Sequence, residues 1–184
     1  MKTSKSPPAP KPATLTETEV ADRNAAALAR VDAMDDVDKL RNLMANADRM
    51  GVAPVRDAAF RRLALIQTEA TVDAAEQAPD AMERDFLRTI FAYEQLVREE
   101  LGKAKRLTKT RMKMTKTGPV KALESFASVT DEYSAFKTLI ARGLEDLTGE
   151  AVILRYPDAF DAATRDAATA RLETAQTEPA PETA

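Results

Sequence analysis

Between residues 13 and 178 the only strong helix breakers are four prolines and five glycines, and their placement dictates the fold class of this chain. Pro54, Pro79, Pro119 and Pro157 each stand where a helix would begin or end, because proline lacks the backbone N–H that a helix interior needs and fits only its first turn. The intervals between them are rich in Ala, Leu, Arg and Glu, residues that lose little freedom on entering a helix. Only 5% of the residues are aromatic and none is Trp, and strand-forming runs are nearly absent. The expectation is an all-α, multi-helix array of two small helical subdomains, with disordered termini. An N-terminal portion over 16–106 and a C-terminal portion over 119–174 are joined by a basic segment over 101–123. The remaining prolines lie among Lys, Ser, Thr and Glu near the two ends, so 1–15 and 175–184 read as tails without apolar surface to bury.

Periodicity fills in the helices. Thr16 and Glu19 form a capping box that opens a first helix, which runs to about Met34 with Val20, Ala27, Leu28 and Val31 inward. Asp35 and Asp36 begin a second, whose Val37, Leu40, Met44, Ala47 and Met50 recur at helical spacing until Gly51 ends it. Pro54 starts a third with Val55, Ala59, Leu63 and Ile66 on one face and Phe60 beside them. Pro79 and Asp80 open the fourth, which carries the longest apolar stripe: Met82, Phe86, Ile90, Tyr93, Val97 and Leu101. Gly118 and Pro119 restart the chain with Val120, Leu123, Phe126 and Ala127. Thr130 or Asp131 caps a further helix, with Tyr133, Phe136, Leu139 and Ile140 inward and Gly143 as its terminator. Thr148 caps a short apolar run, Ala151 to Leu154, that suits a helix or a lone strand. Asp161 caps a last helix reaching about Thr174, facing inward through Ala163, Ala167, Ala170 and Leu172.

The chain contains neither His nor Cys. Their absence removes Ser-His-Asp and Cys-His nucleophiles, His general bases, disulfides and ordinary zinc sites together. None of the glycines has the spacing of a phosphate loop or a dinucleotide fold, so no cofactor is expected. Acidic neighbours such as Asp35 with Asp36, or Glu99 with Glu100, diverge on a helix rather than converge. The chain therefore reads as a binding protein and not an enzyme, since an enzyme here would depend on carboxylates holding a hard cation such as Mg²⁺. The Pro/Lys-rich start has no apolar leader, and no run is long enough to span a bilayer, so a cytoplasmic location without a membrane partner is expected.

Charge is strongly segregated. Residues 101–123 hold eight cations and no acid, a local net charge of +8 within a chain of 27 cations and 30 acids, which leaves the remainder at −11. Lys103, Lys105, Arg106, Lys109, Arg111, Lys113, Lys116 and Lys121 are the candidate nucleic-acid contacts, because a concentrated basic segment on an acidic body is drawn to an anion while the body is repelled. Continued as part of the fourth helix, the segment would place Lys105, Arg106, Lys109, Lys113 and Lys116 within an arc of roughly 100°. Thr108, Thr110, Thr115 and Thr117 add hydroxyls that suit phosphate and sugar. Only Arg106 and Arg111 have the fork for guanine, so the segment suits backbone contact better than base reading, with DNA ahead of RNA. The same composition also suits a solvated linker, or a dock for an acidic protein or anionic lipid. The fourth helix's stripe offers an alternative role, a protein-interaction module or homodimer through the 82–101 face.

Two other features have quieter readings. Arg56, Arg61 and Arg62 on the third helix read as ordinary surface charge. The helix pair between Gly118 and Gly143 has the outline of a helix-turn-helix, but Asp131 and Glu132 would face phosphate at the start of its second helix, so the pair reads as a packing unit. The stretch from Arg106 to Leu172 resembles an uncharacterised family of small helical alphaproteobacterial proteins. The residues that carry the resemblance are Thr110-Arg111 in the basic run, Gly118, Leu139 to Gly143, Leu147-Thr148-Gly149-Glu150, Arg155-Tyr156-Pro157-Asp158 and Phe160, with Ala58-Ala59-Phe60-Arg61-Arg62-Leu63 upstream. Those relatives have more Arg in the basic run. The resemblance implies a shared fold unit and carries no activity with it. Because the chain offers no Cys or His ligand set, EDTA is expected to leave its helicity and melting temperature unchanged; loss of the far-UV helix signal on chelation would contradict this.

Overall fold

The computed structural model describes residues 16–128 and 135–177, and every regular element in it is helical. Thr130, Asp131, Tyr133 and most of the two expected tails lie outside the described residues. Eight α-helices follow in order: α1 (Glu17–Val31), α2 (Val37–Arg49), α3 (Ala53–Asp73), α4 (Ala81–Leu101), α5 (Thr108–Ala127), α6 (Ala135–Ala141), α7 (Gly149–Arg155) and α8 (Ala162–Thr177). Single 3₁₀ turns at Glu145–Leu147 and Pro157–Ala159 lead into and out of α7. The Ala151–Leu154 run is thus helical.

Most helix starts are fixed by the side chains that the sequence marks. Thr16 and Glu19 close the capping box reciprocally, with the Thr16 N–H donating to Glu19 at 2.8 Å. Asp36 accepts from the Asp38 and Lys39 N–H groups, Asp80 from Glu83, Thr148 from Ala151 and Asp161 from Thr164. Backbone N–H donation from Lys39 holds the Asp36 carboxyl below its ordinary pKa, and donation from Thr164 does the same for Asp161. Lowered carboxyl pKa values contribute stability above the unfolded-state value, and that contribution is lost as pH falls through the lowered one.

Two apolar clusters form the core, and α4 belongs to both. Ala92, Tyr93 and Leu96 join Val31, Leu40, Met44, Phe60 and Leu63 from the N-terminal helices with Phe136, Leu139, Leu144 and Leu147 from beyond the basic segment. Met82, Phe86 and Ile90 pack with Leu123, Val152, Ile153, Phe160 and Ala168. The cores therefore cut across the division at the basic segment. Residues of the C-terminal portion complete the first core because α6 and the turn after it lie against α3 and α4. Phe126 links the clusters, its ring edge-on to Phe86 at 5.6 Å and to Tyr93 at 4.8 Å. Gly149 lies under that ring, where an added Cβ would come within 2.9 Å of the Phe126 Cδ1.

The tertiary context corrects several expected faces. Leu28 stays exposed at 37%, since α1 is buried only at its end, through Val31, and Met50, which caps the end of α2, is 50% exposed. On α8 the buried position is Ala168, with Leu172 and Ala175 against the first core, while Ala163, Ala167 and Ala170 face out. Arg171 sets this rotation. Its Nη1 pairs with the buried Glu150 carboxylate at 3.0 Å and donates to the Ala127 carbonyl, and its guanidinium lies 4.6 Å above the Phe136 ring. An Ala-rich helix has a weak apolar bias of its own, so one anchored arginine decides which side turns inward.

The α4 stripe is likewise spent inside the molecule: Met82, Phe86, Ile90, Tyr93 and Val97 are all buried, and Leu101 alone is exposed. The face expected to receive a partner or a second copy is part of the core. Phe86→Ala is accordingly expected to lower the unfolding free energy by about 3–5 kcal/mol, and Ile90→Ala by about 2–5 kcal/mol, in urea denaturation. Unchanged stability in either variant would return the stripe to a docking role.

Candidate nucleic-acid interface

The basic segment is not a continuation of α4. Gly102 takes a left-handed conformation with φ 65°, which terminates α4, and residues 103–107 cross back before α5 begins at Thr108. A second break divides α5 itself. Gly118, at φ 83° and ψ 165°, occupies a backbone region that only glycine enters readily, and Pro119 starts the following turn. The cations thus fall into three groups: Lys103, Lys105 and Arg106 on the connecting loop, Lys109, Arg111, Lys113 and Lys116 on the first half of α5, and Lys121 on the second.

One carboxylate holds this arm in place. Glu94, near the middle of α4, accepts the Leu107 N–H at 2.8 Å just before α5, and takes both prongs of the Arg111 guanidinium at 3.1 Å. The Arg111 plane also covers the Phe91 ring at 4.6 Å. With side-chain exposures of 15% and 14%, Arg111 and Glu94 form a largely buried fork-to-fork pair. Arg111 is therefore withdrawn from the set of phosphate contacts assigned from sequence. Its charge is neutralised and its donors face the protein. Leu107 and Met114 complete the attachment through apolar contact with the second core.

The seven other cations of the segment are exposed. Lys109, Lys113 and Lys116 follow at four- and three-residue intervals, which puts them within about 60° of one another along about 10 Å of helix. They replace the wider arc expected from an unbroken helix. The threonines contribute less than their sequence suggests, because the Thr115 hydroxyl donates to the Arg111 carbonyl at 3.2 Å and the Thr117 hydroxyl to that of Lys113 at 3.0 Å.

Beside the arm runs an open groove of about 920 Å³ between α5, α7 and α8. Lys113, Thr117, Lys121, Glu124 and Ser125 line it from α5, and Asp161 and Thr164 from the start of α8. Arg171 and Glu150 lie at its base as the ion pair that fixes α8. The sequence offers no signal for Arg171 or Glu94 as members of this region. Each is an ordinary charged residue on a helix, and its partner lies on a different element.

The arginines of α3 also have structural duties. Arg56 pairs with Asp48 at 3.0 Å and Asp57 at 2.9 Å, Arg61 with Asp146 at 2.7 Å, and the Arg62 Nε donates to the Met34 carbonyl at 2.7 Å. The pair with Asp57 is the largest influence holding the Arg56 guanidinium above its ordinary pKa. The α6 helix buries Ala135, Phe136 and Leu139, consistent with a packing unit. Among the described residues no three acidic side chains converge as a metal site, and no helix is long and apolar enough to cross a membrane. Comparison with known proteins adds no relative: no family model, curated protein or solved structure matches this chain.

The two kinds of cation on α5 should separate cleanly. Arg111→Gln leaves Glu94 without its partner and is expected to cost on the order of 2 kcal/mol in unfolding free energy, whereas Lys113→Gln should change it by less than about 0.5 kcal/mol. Equal, small effects in urea titrations would show that the Glu94 pair does not hold the arm.

Proposed function

We propose that this chain is a non-enzymatic nucleic-acid-binding protein, regulatory or architectural in role, that grips phosphates through Lys103, Lys105, Arg106, Lys109, Lys113, Lys116 and Lys121. The observation that carries this reading is the contrast on α5: Arg111 is consumed by Glu94, while Lys109, Lys113 and Lys116 beside it are exposed, with no acid among them in sequence. A segment serving only as a solvated connector would not need a buried ion pair to fix its orientation. Duplex DNA is favoured over RNA as the partner, and the contacts are with backbone, because the one fork left in the segment is Arg106. Burial of the α4 stripe removes the main support for a protein adaptor.

Replacing Lys109, Lys113 and Lys116 together by Gln should weaken binding to all sequences about equally and leave the melting temperature intact. On duplex DNA the log affinity falls with log salt by about 0.9 per phosphate neutralised, so the triple variant should flatten that slope by nearly 3. An unchanged slope would exclude this face from the contact. Absence of any salt-sensitive binding by the unaltered protein at about 50 mM salt would exclude nucleic acid altogether.

A further inference from the structure

A second basic region lies away from α5, in a cleft of about 770 Å³ where α3 faces the start of α4, the end of α6 and the turn before α7. Four arginines line it, Arg61, Arg62, Arg88 and Arg142, with Asp57 and Asp146 among them. The two aspartates are already matched. Asp57 accepts from the Arg142 Nε at 2.8 Å as well as from Arg56, and Asp146 takes Arg61. Arg62 donates its Nε to a carbonyl, so its positive charge is not cancelled there. Arg88 forms no ion pair among the described residues, and its Nε is buried with no acceptor. Arg142, with a side chain only 10% exposed, likewise has a buried Nη2 without one. Asp32, at the exposed rim, is the one remaining carboxylate against the charges of Arg62 and Arg88.

A guanidinium set into a cleft with unmet donors and no counter-ion is disfavoured unless something supplies acceptors, and buried polar groups are otherwise nearly always satisfied. The planar fork of arginine matches the paired oxygens of phosphate as it does those of a carboxylate, and a phosphate carries more charge and more acceptor oxygens for several arginines to share. Ala58 and Leu65 on α3 provide an apolar wall for an organic remainder. We propose that this cleft is a binding site for a small phosphorylated molecule, with Arg88 and Arg62 as the charge-matching residues and Arg142 as the buried donor behind them. The site uses none of the α5 lysines and stands whether or not α5 binds nucleic acid.

The test is thermal unfolding of the full chain, followed by circular dichroism, at about 10 mM inorganic phosphate, glycerol phosphate or malonate with ionic strength matched by NaCl. Both phosphates should raise the melting temperature by about 3 °C or more over the NaCl control, with glycerol phosphate at least equal to inorganic phosphate. The rise should persist when Lys109, Lys113 and Lys116 are replaced by Gln and fall by at least half in Arg88→Met. Should Arg88→Met not fold, Arg88→Lys takes its place, since it keeps the charge and loses the fork, and is expected to weaken phosphate binding about five-fold. Broadening of the ³¹P signal of inorganic phosphate by the unaltered protein gives a direct reading that needs no variant. No melting shift and no broadening would overturn the proposal. So would a shift that disappears in the lysine variant, which would move the phosphate to α5, or a response to malonate alone, which would make the ligand a carboxylate.

Discussion

The ring of Phe126 is the point on which the rest of this structure turns. It meets Phe86 and Tyr93 edge-on, residues two turns apart on α4, and so joins the two apolar clusters into one continuous body around that helix. Such contacts add to the area that large aromatic side chains bury, in a chain with few of them. The consequences run outward. Much of α4 is buried, and the chain after Leu101 leaves its axis before it returns with Phe126. Gly102 turns it back, and Gly118 turns it again so that Leu123 and Phe126 reach the core.

Between those two turns the segment carries its cations in the open. Leu107, Met114 and the Arg111–Glu94 pair attach it to the body. The arrangement resolves an electrostatic conflict. A body with a surplus of acid would otherwise draw a flexible basic segment onto its own surface, whereas a helix pinned by one carboxylate holds Lys109, Lys113 and Lys116 outward. Arginine suits the pinned position because its fork matches a carboxylate in two places, and lysine suits the exposed face of α5 as a hydrated point charge. This division of labour within one basic run supports a phosphate-binding surface. A linker would need neither the pin nor the separation.

Much of the fold was legible in the sequence because it is encoded locally. The Thr16–Glu19 box, the Asp36, Asp80 and Asp161 caps and the stripe of α4 involve residues a few positions apart, and each is found where spacing places it. What could not be read depends on distant partners. The rotation of α8 is set by Arg171 meeting Glu150 and Phe136, and the withdrawal of Arg111 by a glutamate seventeen residues earlier. The stripe of α4 marked burial correctly and left open what would bury it, since an apolar face looks the same whether its cover comes from the same chain or another. The candidate site was legible as a concentration of charge; its geometry depended on two glycines whose turns end and divide helices.

The central claim is that the pinned basic arm, and no other surface, meets nucleic acid. Amide chemical-shift mapping of the ¹⁵N-labelled full chain tests it most directly, with a mixed-sequence DNA duplex of about two helical turns added at about 50 mM salt. Perturbed amides should cluster over residues 103–121 and the groove edge at Ser125 and Thr164, while those of α2 and the middle of α3 stay in place. Perturbations centred on any other face, or none at all while the duplex is in excess, would contradict it.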